Sequence, residues 1–197
     1  MDSTILLTFR LHGSIPASAG RELQTSRRAG QKAVQAWAAT GAGPEEIAAA
    51  HRRAQKAFFA QYDAVLDRAP IGPRYFESEK IAEVLAGEIM MLEETGFVVH
   101  GFAILPNHAH AVLHLPTGSG LSLSKALDLL HLRTGQACRR LVRPKLPPEA
   151  EFWQTGWHEY AVLDEAELAR LLAYVCANPA KAGLPERFQE WPYVLRD

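Results

Sequence analysis

The sequence predicts an α+β domain built on a mainly antiparallel sheet. Two strand-like runs, 97–105 and 108–115, are separated only by Pro106-Asn107, a connection short enough for an antiparallel hairpin and too short for a parallel crossover. Runs with helical spacing lie before and after that hairpin. With 48% hydrophobic and 22% charged residues, the 197-residue chain can bury a core, and disorder of the whole chain is excluded.

The elements follow in order. Thr4 to Leu11 is β-rich and stops at His12-Gly13, which reads as a strand. Residues 21–68 are rich in Ala, Gln, Arg and Lys and are broken by Gly41-Ala42-Gly43-Pro44, which gives two helices. The second starts near Pro44, with Glu45 and Glu46 placed favourably in its first turn. Pro70 to Pro73 is a break. From Glu79 to Glu94, Ile81, Val84, Leu85, Ile89 and Leu92 recur at helical spacing, and Gly96 stops the run. After the hairpin, Ser122 or Ser124 opens a helix to about Val142, closed by Pro144, Pro147 and Pro148. Trp157 to Leu163 reads as a short strand. Asp164 caps a last helix, with Pro179 expected to end it at Asn178. The whole of 1–197 is expected to form one domain with a helical insertion at about 14–70.

No apolar run reaches the ~18 residues of a membrane helix. Met1 to Thr4 lacks the basic start of a secretory leader. Two cysteines, Cys138 and Cys176, make neither a metal knuckle nor a disulfide framework and suit a reducing, cytoplasmic setting. The net charge of −1 argues against a large non-specific nucleic-acid footprint but hides segmental imbalance. Residues 121–145 carry six bases against one acid, and residues 21–68 eight against five. Such stretches can grip one strand or simply form solvated helix faces.

Two patterns bear chemistry. His108-Ala109-His110 lies on a strand, where residues two apart share a face with Cα atoms ~6.5 Å apart, so both imidazoles can reach one divalent ion. His114 has the same parity but sits ~13 Å farther along; His100, on the neighbouring strand, remains open. Tyr174 and Asn178, four apart, share a helix face. A phenol with pKa near 10 becomes an effective nucleophile against a substrate polarised by a metal ion, and a carboxamide oxygen can join that ion's ligands. Taken singly, each pattern equally describes a metal-free strand pair or a core tyrosine.

Together they form an ordered set. Leu105-Pro106-Asn107-His108-Ala109-His110 comes first, then Leu121-Ser122-Leu123-Ser124-Lys125, then Phe152-Trp153-Gln154. Tyr174 follows, with Asn178-Pro179-Ala180-Lys181-Ala182-Gly183-Leu184. This set resembles the REP-associated tyrosine transposases of the single-tyrosine HUH superfamily, over roughly residues 71–193. The resemblance implies a ferredoxin-like or RRM-like fold and a Mg²⁺- or Mn²⁺-dependent enzyme, monomer or homodimer, that cleaves and rejoins single-stranded DNA near hairpin-forming repeats. It further implies Tyr174 as nucleophile and His108, His110 and Asn178 as metal ligands. Lys125, Arg133, Arg139 and Arg140 are expected to contact the DNA backbone, and Trp153 and Trp157 to be buried or to stack on unpaired bases. The alternatives are a domesticated hairpin-binding protein without turnover and a metal-dependent hydrolase of unrelated ancestry.

Overall fold

The computed structural model describes residues 3–68, 72–118 and 120–196. Of the break read at 70–73, Pro70 and Ile71 fall outside the described residues. The chain divides into two compact units, one formed by Met1–His12 with Pro73–Asp197 and the other by Gly13–Gly72.

The first unit is a five-stranded antiparallel sheet with three helices. Its strands are β1 (Ser3–Arg10), β2 (Val98–Leu105), β3 (His108–Leu115), β4 (His158–Val162) and β5 (Val194–Arg196), in the order β4-β1-β3-β2-β5. β3 is therefore the central strand. The second unit is a helical hairpin of α1 (Ala17–Ala38) and α2 (Pro44–Arg68). The other helices are α3 (Glu79–Met90), α4 (Leu123–Leu141) and α5 (Glu165–Lys181). The α+β class with an antiparallel sheet is the one the sequence predicts.

Period-two alternation gives the sheet two different faces. One face is apolar: Ile5, Leu7, Phe9, Phe102, Ile104, Ala109, Ala111 and Leu113 pack against Ile81, Leu85 and Ile89 of α3 and Ala126, Leu127 and Leu130 of α4. Small residues at 109 and 111 on the central strand leave room for those helices. The other face carries Thr8, His108, His110, Val112 and His114, and α5 packs on β2, β3 and β5. Gly101 is in register with Val112 and lets α5 approach closely. A Cβ there would meet Leu172 Cδ2 at 3.2 Å and the backbone oxygen of Leu195 at 2.8 Å.

Three details depart from the sequence reading. Helix α5 does not end at Asn178 but runs through Pro179 to Lys181. A proline this near a C-terminus forfeits one backbone bond only, while Val175, Cys176, Asn178 and Pro179 are all buried and hold the last turns in place. Gly183, at φ +69°, ends the segment instead. The run read as one helix to Glu94 gives way to a tighter 3₁₀ turn at Met91–Thr95. The short edge strand β5 was not foreseen.

The close approach at Gly101 yields a test. Gly101→Ala is expected to destabilise the fold by about 1–3 kcal/mol in urea unfolding, because backbone, not a flexible side-chain tip, stands in the way. A change within about 0.5 kcal/mol would show that the approach of the β5 backbone does not constrain this position.

Candidate active site

His108 and His110 are both fully buried, on the α5 side of the central strand. Their ring centroids are 4.9 Å apart at 83°, and the nitrogens they can offer an ion lie within 4.8 Å of each other. An ion ~2.1 Å from each nitrogen spans up to ~4.2 Å, so at the outer end of that range the rings would close by a few tenths of an ångström to share one. Each ring is held from behind. The register brings Thr8 of β1 opposite His110, and Thr8 Oγ1 is hydrogen-bonded to His110 Nδ1 at 2.8 Å. His108 Nδ1 donates to Asn107 Oδ1 at 2.7 Å. Because a carboxamide oxygen only accepts, that bond fixes the His108 proton on Nδ1 and leaves a lone pair on Nε2. Among the described residues nothing hydrogen-bonds His108 Nε2. Burial, and then the neighbouring His110, hold His108 well below the ordinary imidazole range. A neutral imidazole with an oriented, unpartnered lone pair is what a divalent ion requires of a ligand, so the pair fits one.

Tyr174 comes from α5 onto the same face. Its ring centroid lies 6.4 Å from that of His110, and it is half-buried. Asn178, one turn on, is buried, and among the described residues its Nδ2 has no hydrogen-bond partner. A half-turn of the carboxamide would present oxygen in place of nitrogen. Lys181, two turns beyond Tyr174, sets its Nζ 4.6 Å from the centre of the Tyr174 ring. The sequence reading had quoted Lys181 without a role, although its i+7 spacing from Tyr174 was visible. Thr8 and Asn107 were missed as supports, since Thr8 meets His110 only through strand register.

Tyr160, the next tyrosine along, sits on β4 opposite Leu6. Its hydroxyl donates to Glu167 Oε1 at 2.8 Å, and burial together with that carboxylate pushes its pKa up to about 12. It is a structural bond between β4 and the first turn of α5. His114 is hydrogen-bonded to Thr4 through Nδ1 at 3.0 Å and lies 6.3 Å from His100, ring to ring. A register shift between Val99 and Gly101 marks His100 as a bulge residue.

The four basic candidates sit elsewhere. All belong to α4, which packs on the apolar face, across the sheet from the imidazole pair. Arg139 donates to the carbonyls of Pro147 and Pro148 at 2.7 and 3.0 Å, which ties it to the following loop. Arg133 approaches Glu88 at 3.6 Å. Lys125 and Arg140 are exposed. Trp153 is buried and donates from Nε1 to Thr134 Oγ1 at 2.8 Å, whereas Trp157 is half-exposed.

Fold and site define a class: an antiparallel α+β protein whose central strand presents an imidazole pair to a helix bearing a tyrosine. A Haemophilus influenzae protein named a REP-associated tyrosine transposase is 29% identical over 108 residues, a match covering 51% of this chain and 60% of that protein. A solved structure described as a REP-associated tyrosine transposase bound to a REP hairpin matches 98% of this chain and 75% of its own, with a TM-score of 0.53 at 14% identity. At that identity the likeness is one of fold. The chain is thus similar in sequence to a protein named a REP-associated tyrosine transposase and shares the fold of a solved one. No family model matches the chain. Among the described residues no helix is long and apolar enough to cross a membrane.

Across the sheet, His131 stacks on Trp153 at 4.8 Å and 15°, and burial lowers its pKa from 6.5 to about 4, partly opposed by Asp128. Folded His131 therefore stays neutral at pH values where the unfolded chain protonates. His131→Phe keeps a stacking ring without titration. The stability difference between the two proteins should be constant above pH 7. As pH falls from 6.5 towards 4 the wild type should lose up to about 3 kcal/mol relative to the variant. Denaturant unfolding across pH reads this, and parallel curves would contradict it.

Proposed function

We propose that this protein cleaves and rejoins single-stranded DNA at hairpin-forming repeats through a 5′-phosphotyrosine intermediate. The observation that carries the reading is the placement of Tyr174 and the His108–His110 pair on one face of the sheet, with 6.4 Å between the Tyr174 and His110 rings. Kinship with a protein named a REP-associated tyrosine transposase supports it, and the fold of a relative described with a REP hairpin supports hairpin DNA as the substrate. Residues 1–197 are read as one catalytic domain carrying a helical insertion, working in the cytoplasm.

His108 and His110, with Asn178 as third ligand through its oxygen, would hold the divalent ion. Two imidazoles favour a transition ion such as Mn²⁺ over Mg²⁺, which prefers oxygen ligands. When bound, the ion supplies Lewis-acid polarisation of the scissile phosphate. Thr8 and Asn107 hold the imidazoles in the tautomer and orientation that ligation needs. The Tyr174 oxygen bonds to phosphorus while the bond from phosphorus to the 3′ oxygen breaks. The phenol proton passes to solvent, and the departing oxygen takes one up to become a 3′-hydroxyl. A DNA 3′-hydroxyl then attacks the phosphotyrosine, restoring the phenol and a phosphodiester, so rejoining consumes no nucleotide. Lys181 holds the Tyr174 ring and brings positive charge near the reacting phosphate.

The second reading is hairpin binding without turnover. It is favoured by the engagement of Arg133 and Arg139 within the protein, which leaves less basic surface for a vigorous transposase. Incubating the chain with a single-stranded hairpin DNA and Mn²⁺ separates the two. A covalent adduct should appear on a denaturing gel and be abolished by Tyr174→Phe and by chelator. Persistence of the adduct in Tyr174→Phe would assign the nucleophile to another tyrosine, and no adduct with intact binding would favour the second reading. Thr8→Val should weaken Mn²⁺ binding about 10- to 100-fold by calorimetry while the fold survives. Unchanged affinity would remove Thr8 from the site.

A further inference from the structure

The helical hairpin of the second unit has an unusual charge distribution. After Glu22 α1 has no acidic residue, and α2 has none between Glu46 and Asp63; these spans hold Arg27, Arg28, Lys32, Arg52, Arg53 and Lys56. All six bases are exposed. The two helices hold each other closely through other groups. A Cβ on Gly30 would lie 3.7 Å from that of Ala54, Ser26 donates to Gln61 at 2.6 Å, and Ile15, Leu23 and Leu66 form a small core with Phe58, Tyr62 and Val65. The bases are therefore not needed to hold the hairpin together, apart from Arg27, which lies 5.7 Å over the Phe58 ring.

Physical chemistry makes this arrangement costly for a purely structural element. Arg28 with Lys32, and Arg52 with Lys56, are like charges at i,i+4, which destabilise a helix. Acids interleaved at that spacing would stabilise it instead. An acid-free rod of fixed cations gains by meeting a polyanion, and duplex DNA presents one charge per ~1.7 Å of axis. No aromatic ring stands among the basic residues at 27–32 or 52–56, and the exposed ring nearest to them along α1 is Trp37, beyond the basic stretch.

We propose that the α1–α2 hairpin is a duplex-binding arm that contacts the phosphates of a DNA hairpin's paired stem. The inference rests on the DNA reading above and deepens it, assigning stem contact to the insertion in place of the basic face of α4. It makes the contact sequence-blind, fixing position on the stem without selecting bases.

The test uses the full chain and two probes: a DNA hairpin with a single-stranded tail, and the tail alone. Two double variants, Arg28→Gln with Lys32→Gln and Arg52→Gln with Lys56→Gln, remove like-charge pairs, so thermal unfolding should show them no less stable than wild type. Binding is measured across salt concentration. For the hairpin, each contact removed should lower the slope of log K against log salt by about 0.9, and affinity for the tail alone should not change. A slope unchanged when both pairs are replaced would overturn the arm while leaving the DNA reading standing. An equal loss on the tail alone would overturn the assignment to the paired stem. If the wild type bound neither probe, the underlying DNA reading itself would fall.

Discussion

The site depends on the inequality of the two faces of one antiparallel sheet. On β3, side chains alternate, so burying Ala109, Ala111 and Leu113 against α3 and α4 obliges His108 and His110 to point the other way. A one-residue slip of β3 would place imidazoles in an apolar core and turn alanines towards the tyrosine helix. The core therefore enforces the register, and the register aims the chemistry. Gly101 then lets α5 lie close on the same face, which brings Tyr174 near His110.

Burial has a further consequence. Burial, and then the neighbouring His110, disfavour protonation of His108. His108 therefore stays available as a lone-pair donor at pH values where exposed histidines begin to charge. Leaving His108 Nε2 buried without a hydrogen-bond partner costs about 1–3 kcal/mol for a polar group, which a bound ion would offset. Tyr160, on β4, serves as a fastening: its hydroxyl is engaged by Glu167 in the first turn of α5.

How much was legible follows from what is local. The β-rich runs at 4–11 and 108–115, the Pro106-Asn107 turn and the Asp164 cap are local signals, and each element appeared where its signal lay; Asp164 accepts from the Glu167 backbone as a cap should. The shared face of His108 and His110 followed from parity alone. Proximity of Tyr174 to His110 was not a local signal and came into view only through resemblance to a family. The basic run of α4 was legible as charge along the chain, but the sheet face that α4 covers was not, because it is decided by the helix's apolar side. The end of α5 departs from the local proline rule because burial of Val175, Cys176, Asn178 and Pro179 holds the last turns, and no short window shows that packing. The bulge at His100 and the three-residue β5 depend on partner strands that no short window contains.

The most direct measurement of the central claim is pulsed electron paramagnetic resonance on Mn²⁺-loaded protein carrying a fluorinated tyrosine at position 174. Nitrogen couplings from two histidine rings, both lost in His108→Ala with His110→Ala, together with a resolved manganese–fluorine coupling, are the expected result. Manganese without histidine nitrogen couplings, or a fluorine too remote to couple while both nitrogens are present, would contradict the convergence of ion and phenol on one face of the sheet.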